Sequence, residues 1–271
     1  MKKLLYAGTA ILLFISACSK SNVNPDKTGT TGKVKVGASY AAGAGVKVTF
    51  YQDTTFLTGY NKLYFVLADS TSGAAITNAT LTVTTSMNMG MMSPMTSPIE
   101  QPVYTGSSEM YTGASVFNMA TGNGNGQWAV SVTVTNPATD KHGTAMFMVN
   151  VNNSIYNLVT TQTGTDGQSY MIALVAPLKP QIGMNTLELL VDVQNMDMSY
   201  SPVSNFQVQF TPEMPAMQNM TSANNQNPAP TTDGYYVGKV NFSMTGDWKL
   251  DINLMNGGNT IVQDADIEFT F

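Results

Sequence analysis

The sequence predicts an all-β protein built as two tandem β-sandwiches, preceded by a secretion signal and a flexible tether. Three observations predict it. Short apolar-polar alternations recur along the chain: Ala79, Leu81 and Val83 interleaved with threonines, Val130, Val132 and Val134 after Trp128, and Leu250, Ile252 and Leu254 after Trp248. A period of two puts one face of a strand in a core and the other in solvent. Turn-forming clusters separate these runs at roughly 8–15 residue intervals, as in sandwiches. Past the N-terminal apolar segment, no stretch of about 11 residues or more carries a helical period.

A fourth observation, internal repetition, predicts the tandem arrangement. Gly59-Tyr-Asn61-Lys-Leu63 matches Gly183-Met-Asn185-Thr-Leu187, and the alternating runs at 79–83 and 206–210 each lead into methionines. Tyr111-Thr-Gly113 matches Tyr236-Val-Gly238, Phe117-Asn-Met119 matches Phe242-Ser-Met244, and Trp128 and Trp248 each open a strand. Matched features in one order imply a tandem duplication. The expected division is residues 46–153 for the first sandwich, 154–168 for a linker and 169–271 for the second. In this reading Tyr111 to Met119 and Ala145 to Val151 are further strands, 94–102 is a Pro-rich loop, and Gly122-Asn-Gly-Asn-Gly126 is a hairpin turn.

The N-terminus carries its own chemistry. Lys2 and Lys3 precede an apolar segment at 4–15, which is shorter than the ~20 residues a spanning helix needs. It ends in Ile15-Ser-Ala-Cys18, and Cys18 is the chain's one cysteine. That pattern reads as a lipoprotein signal over 1–17 with acylation at Cys18, attaching the protein to a membrane without crossing it. Ser19 follows the cysteine, which by the sorting rule of enteric bacteria points to the outer membrane. A lone cysteine excludes disulfides. Residues 18–45, rich in Ser, Asn, Thr, Gly and Lys, read as the tether.

Charged residues make up 11% of the chain, all twelve basic residues are lysine, and the net charge is −5. No concentrated basic face is legible past the N-terminus, so nucleic acid is not an expected partner. No nucleophile elbow, phosphate loop or catalytic triad is present, so no enzymatic activity is expected. His142, the lone histidine, reads as a solvated turn residue. Asp264, Asp266 and Glu268 alternate on one face of the last strand, a charged outer face that guards a sheet edge.

Methionine is the unusual component, with 19 copies. Five cluster at Met87, Met89, Met91, Met92 and Met95, and three at Met214, Met217 and Met220. Each cluster follows an alternating strand and enters a loop. Thioethers are soft ligands suited to Cu(I), for which about three sulfurs suffice. They are also flexible fillers of apolar gaps. Both readings stand for these eight residues, beside a third in which the loops bind a partner.

Glu213-Met-Pro-Ala-Met217, Asp233-Gly-Tyr235 and Phe242-Ser-Met-Thr-Gly-Asp-Trp248 give the second half the pattern of a known family. The chain resembles YtkA-like and FixH-like domains over most of both repeats, the second more closely. The resemblance implies immunoglobulin-like sandwiches and an association with copper-handling or respiratory-oxidase functions. Related methionine loops often carry a histidine a few residues on. Here Thr96, Ser97, Thr221 and Ser222 occupy that neighbourhood, so no mixed Met/His site carries over. The expected function is therefore non-catalytic Cu(I) binding or handling by a lipid-anchored envelope protein. The alternative is a structural or adhesive envelope protein whose sandwiches bind a protein or glycan.

Overall fold

Strands that bury one face need a second sheet to cover it, so alternation along the chain becomes layering in space. The computed structural model describes residues 29–88, 94–122 and 126–271. Within them lie two antiparallel sandwiches. The first comprises β1 (Val34–Ala41), β2 (Val46–Gln52), β3 (Gly59–Asp69), β4 (Thr80–Met87), β5 (Ile99–Thr105), β6 (Met110–Phe117), β7 (Trp128–Asn136) and β8 (Lys141–Val149). One sheet runs β1-β2-β3-β6-β5 and the other β4-β7-β8.

The second comprises β9 (Val159–Thr163), β10 (Ser169–Ala176), β11 (Gly183–Gln194), β12 (Tyr200–Pro202), β13 (Gln207–Met214), β14 (Met220–Thr221), β15 (Gln226–Pro230), β16 (Tyr235–Phe242), β17 (Asp247–Asn256) and β18 (Asn259–Thr270). Its sheets run β9-β10-β11-β16-β15, with β12 beside β11, and β14-β13-β17-β18. The strand order of the first sandwich is thus reproduced, with β12 and β14 as additions.

The repeated motifs are repeated devices. Asn61 Nδ2 donates to the carbonyls of Leu57 (2.7 Å) and Gly59 (2.8 Å), while Asn185 Nδ2 donates to those of Gln181 (2.7 Å) and Gly183 (2.9 Å). Each asparagine clips the turn that feeds the central strand, and Gly59 and Gly183 enter it at positive φ, which suits glycine. The Tyr111 hydroxyl accepts from the Ala79 amide (2.8 Å) and the Tyr236 hydroxyl from the Phe206 amide (3.1 Å), tying the two sheets at matching corners. A Cβ on Gly113 would lie 2.4 Å from the Glu100 carbonyl, and one on Gly238 2.4 Å from that of Gln226. Both glycines admit a crowded edge strand containing proline. Trp128 Nε1 donates to the Met119 carbonyl (2.9 Å) and Trp248 Nε1 to that of Met244 (3.0 Å). The indoles pack on Phe117 and Phe242 at centroid distances of 5.0 and 5.1 Å.

Several boundaries differ from the sequence reading. β1 lies inside the expected tether at 18–45, and β9 inside the expected linker at 154–168. Both have weak apolar signals, and both exist because a neighbouring strand offers an unpaired edge. β5 overlaps the Pro-rich stretch 94–102 read as a loop, and β15 likewise contains prolines. Proline is compatible with edge positions, where its missing N–H costs no ladder bond. The run at 122–126 joins β6 in one sheet to β7 in the other, so it is a crossover and not a hairpin turn; its residues 123–125 lie outside the described residues. The signal at 1–17 and Cys18 also lie outside them.

Each sandwich has its own apolar core, and a third cluster joins the two. Val116 from the first sandwich and Met171, Ala173 and Leu190 from the second are buried there, with Tyr60 and Tyr235 packed alongside. These residues belong to the outer faces of β3, β6, β10, β11 and β16. The contact is polar at its margin. Tyr235 donates to Glu100 Oε2 (2.8 Å), the hydroxyls of Tyr60 and Tyr235 lie 3.3 Å apart, and the Thr96 hydroxyl donates to the Met198 carbonyl. Burial pushes both phenols well above the usual tyrosine range, which keeps them protonated and able to donate.

Candidate functional site

The methionine clusters divide by strand parity. Leu81, Val83, Thr85 and Met87 alternate along the inward face of β4, so Met87 completes the strand and is fully buried in the first core. Met214 does the same at the end of β13 and is 4% exposed. Neither is a loop residue, although the sequence reading placed both in loops. Met95 closes the first hairpin opposite Met87, with Met87 N to Met95 O at 2.8 Å and Met95 N to Met87 O at 3.0 Å. Met220 is the register partner of Met214. Met95 and Met220 are half-buried against the cores. Met217 sits in the short 3₁₀ turn between them and is half exposed. Met89, Met91 and Met92 lie outside the described residues.

The second hairpin therefore brings Met214 and Met220 to one side of a two-stranded ribbon, since directly paired residues share a face. Gly246 makes room: a Cβ there would lie 2.7 Å from the Met214 methyl carbon. Among the described residues, no group of three or more His, Cys, Asp or Glu is arranged to hold a metal. His142 is exposed on β8. Asp266 and Glu268 do lie on the edge strand β18, but Asp266 is drawn into an ionic cluster. Lys249 Nζ lies 2.8 Å from Glu213, 2.9 Å from Asp251 and 3.7 Å from Asp266.

A second feature arises only from the packing of the two sandwiches. A groove of about 1050 Å³ opens where the β2–β3 turn of the first meets the crossing segment and the second. Phe56, Leu57, Tyr60 and Tyr64 form one wall, Ile155 and Tyr156 the end, and Leu178 and Glu188 the other wall. Leu57, Leu178 and Ile155 are exposed by 38%, 56% and 87%. Gln52 also lines the groove, and its Oε1 is buried behind it without a hydrogen-bond partner among the described residues. Ligand sites favour such junctions, where apolar walls carry a few polar groups. Lys33 caps this end, 3.9 Å over the Tyr64 ring and paired with Asp53.

The Tyr64 hydroxyl donates to Asp53 (3.0 Å), the same carboxylate that pairs with Lys33. The sequence reading missed this site because its residues are scattered over 33–188. A local hint was present in Tyr60-Asn-Lys62-Leu-Tyr64, where polar and aromatic residues occupy the outward positions.

Comparison with known proteins bears on the second sandwich. Residues 164–253 match the YtkA-like family. The match runs through β10 to most of β17, covering the methionine hairpin and Trp248. The YtkA-like domain thus coincides with the repeat that carries the fuller motif set. No curated protein matches the chain. Two solved structures align at low similarity. The adhesin InvE of Yersinia pseudotuberculosis has 12% identity and a TM-score of 0.28, with 87% of this chain and 60% of that chain covered. A conserved domain protein of Bacillus anthracis has 12% identity and a TM-score of 0.29, with 90% and 93% covered. The chain spans about 60% of the adhesin's length.

Proposed function

We propose that this chain is a non-catalytic, lipid-anchored envelope protein that binds an extracytoplasmic partner in the groove between its sandwiches. The groove itself carries the reading, because it exposes apolar side chains from both sandwiches beside an unpaired buried acceptor. A purely structural spacer has no use for leucine and isoleucine exposed along a junction. Acylation at Cys18 places that groove at a membrane surface.

Cys18→Ala releases the chain from membranes and supplies a soluble form for a panel of defined glycans and peptides. The double change Ile155→Asp with Leu178→Asp is expected to weaken any retained ligand at least tenfold while leaving the circular dichroism spectrum intact. Retention that is indifferent to both changes would sink the groove reading.

A second reading keeps Cu(I) at the methionine hairpins. It is favoured by the pairing of Met214 with Met220 and the half-exposed Met217 between them. Three thioethers on one hairpin are a sufficient soft-ligand set. Changing Met214, Met217 and Met220 together to leucine conserves volume and costs under ~1.5 kcal/mol at each packed position. The fold is expected to survive and Cu(I) affinity at the second sandwich to collapse, measured against a competing chelator. The same change at Met87, Met89, Met91, Met92 and Met95 tests the first sandwich. Unaltered Cu(I) binding in both variants removes this reading.

A further inference from the structure

The outer face of the β1-β2-β3 sheet is open to solvent on the side that leads into the groove. Register places its side chains in rows. Tyr40 of β1 stands opposite Lys47 of β2, and Lys35 of β1 opposite Tyr51 of β2. Between these two rows lies a third made of Ala38 and Thr49. Tyr40 is 57% exposed, Lys35 and Lys47 are exposed and Tyr51 is half-buried. The face thus repeats one unit, a phenol ring beside an ammonium, with a low floor between the copies. Lys47 and Tyr51 are four residues apart on one strand, so the two units lie about 13 Å apart.

The next row continues the track inward. Tyr51 pairs with Tyr64, which carries Lys33 over its ring, and Lys62 projects two residues before Tyr64. Lys33, Lys62 and Tyr64 are also groove residues. Lysines outnumber carboxylates here. The chain has twelve lysines and a net charge of −5, yet four of those lysines gather here. Of the carboxylates nearby, Asp53 is paired with Lys33, Glu100 accepts from Tyr60 and Tyr235, and Glu188 stands across the groove on its other wall. Lys35, Lys47 and Lys62 are left facing solvent on an otherwise acidic protein, a local field that attracts anions.

We propose that this face, running into the groove, is a docking track for an acidic polysaccharide. The inference deepens the groove-binding reading and rests on it. Pyranose rings present flat C–H faces that stack on Tyr40 and Tyr51, and uronate carboxylates spaced along the polymer meet Lys35, Lys47 and Lys62. An acidic peptide offers the charges without a repeated flat face, so it makes no use of the exposed rings.

The test uses the full chain in detergent, titrated with polygalacturonate and hyaluronate, and with dextran and polyglutamate as contrasts. Binding to at least one uronate polymer is expected, with at least tenfold weaker binding to dextran and to polyglutamate. The double change Tyr40→Ala with Tyr51→Ala, and separately Lys35→Gln with Lys47→Gln and Lys62→Gln, should each weaken uronate binding at least tenfold. The lysine variant should also lose most of the salt dependence, since released counterions and screened charges are its source. Unchanged thermal unfolding checks that both variants fold. Equal affinity for dextran overturns the acidic class while leaving groove binding in place. Equal affinity for polyglutamate, with the tyrosine variant unaffected, identifies an acidic peptide surface and overturns the saccharide. Failure to bind either uronate polymer overturns the inference outright, and the Ile155 and Leu178 variants then judge the groove separately.

Discussion

Trp248→Ala is expected to unfold the second sandwich while the first stays folded, and Trp128→Ala to do the reverse. Both indoles are essentially fully buried, each packs on a phenylalanine from the opposite sheet, and each donates its N–H to a carbonyl in the segment just before its own strand. Truncation removes the ring and leaves a cavity, at a cost of about 3–5 kcal/mol. That is a large share of the stability of an ordinary domain. The two tryptophans make the readout selective, because each variant leaves the other indole as a fluorescent reporter of the intact sandwich. Trp→Phe keeps most of the packing but loses the hydrogen bond, so its expected cost is nearer 1–2 kcal/mol. A loss below ~1 kcal/mol for Trp→Ala would mean that the ring does not anchor a core.

The second large effect is expected at Asp192. It is 6% exposed and stands opposite Met171, two residues from Leu190, on the face of β11 that packs toward the first sandwich. Among the described residues, no cation or hydrogen-bond donor is paired with its carboxyl. The same outer faces carry Tyr200, Tyr60, Tyr235, Glu100, Glu188, Lys62 and Lys239, yet neither lysine is paired with Asp192 and burial alone sets its shift. Burial pushes Asp192 up to about 7 from its ordinary 3.8, and Asp192 together with burial pushes Tyr200 up to about 12. A carboxyl raised on folding favours the folded state while it is protonated. Its contribution is complete below about pH 4 and is lost as pH rises to about 7. The difference across that window is roughly 4 kcal/mol at most. Asp192→Asn removes the charge without changing the shape. The variant is expected to match the wild type near pH 4 and to exceed it near pH 8, by thermal unfolding followed over that range. Parallel pH profiles would show that Asp192 ionises freely and that the contact is looser than its burial implies.

Such a carboxyl could not be found in the sequence. Asp192 sits in Leu189-Leu-Val-Asp-Val193, where alternation alone assigns it to an outward and solvated face. The face is outward from its own sandwich, but a second sandwich covers it. The same logic hid the groove and the lysine–tyrosine rows, whose members come together only through register and through the docking of one unit on the other. The methionines erred in the opposite direction. Met87 and Met214 looked like loop residues because proline and asparagine follow them, yet each occupies the last inward position of its strand.

What the sequence by itself determined is the local and repetitive part of this protein. Alternation of period two fixed the strands, and the ordered recurrence of Gly-x-Asn-x-Leu, Tyr-x-Gly, Phe-x-Met and Trp fixed the duplication. Those signals are legible because each device acts within a turn, a strand or a neighbouring pair, so its residues stay close along the chain. The edge strands β1, β5, β9 and β15 were decided by tertiary structure. Their own apolar patterns are too weak to specify pairing, and the exposed backbone of a neighbouring strand supplies the hydrogen bonds that do. Tertiary structure also decided the contact between the sandwiches and everything that contact creates, from the buried Asp192 to the groove. These depend on residues more than a hundred positions apart, and no local period records which outward face will be covered.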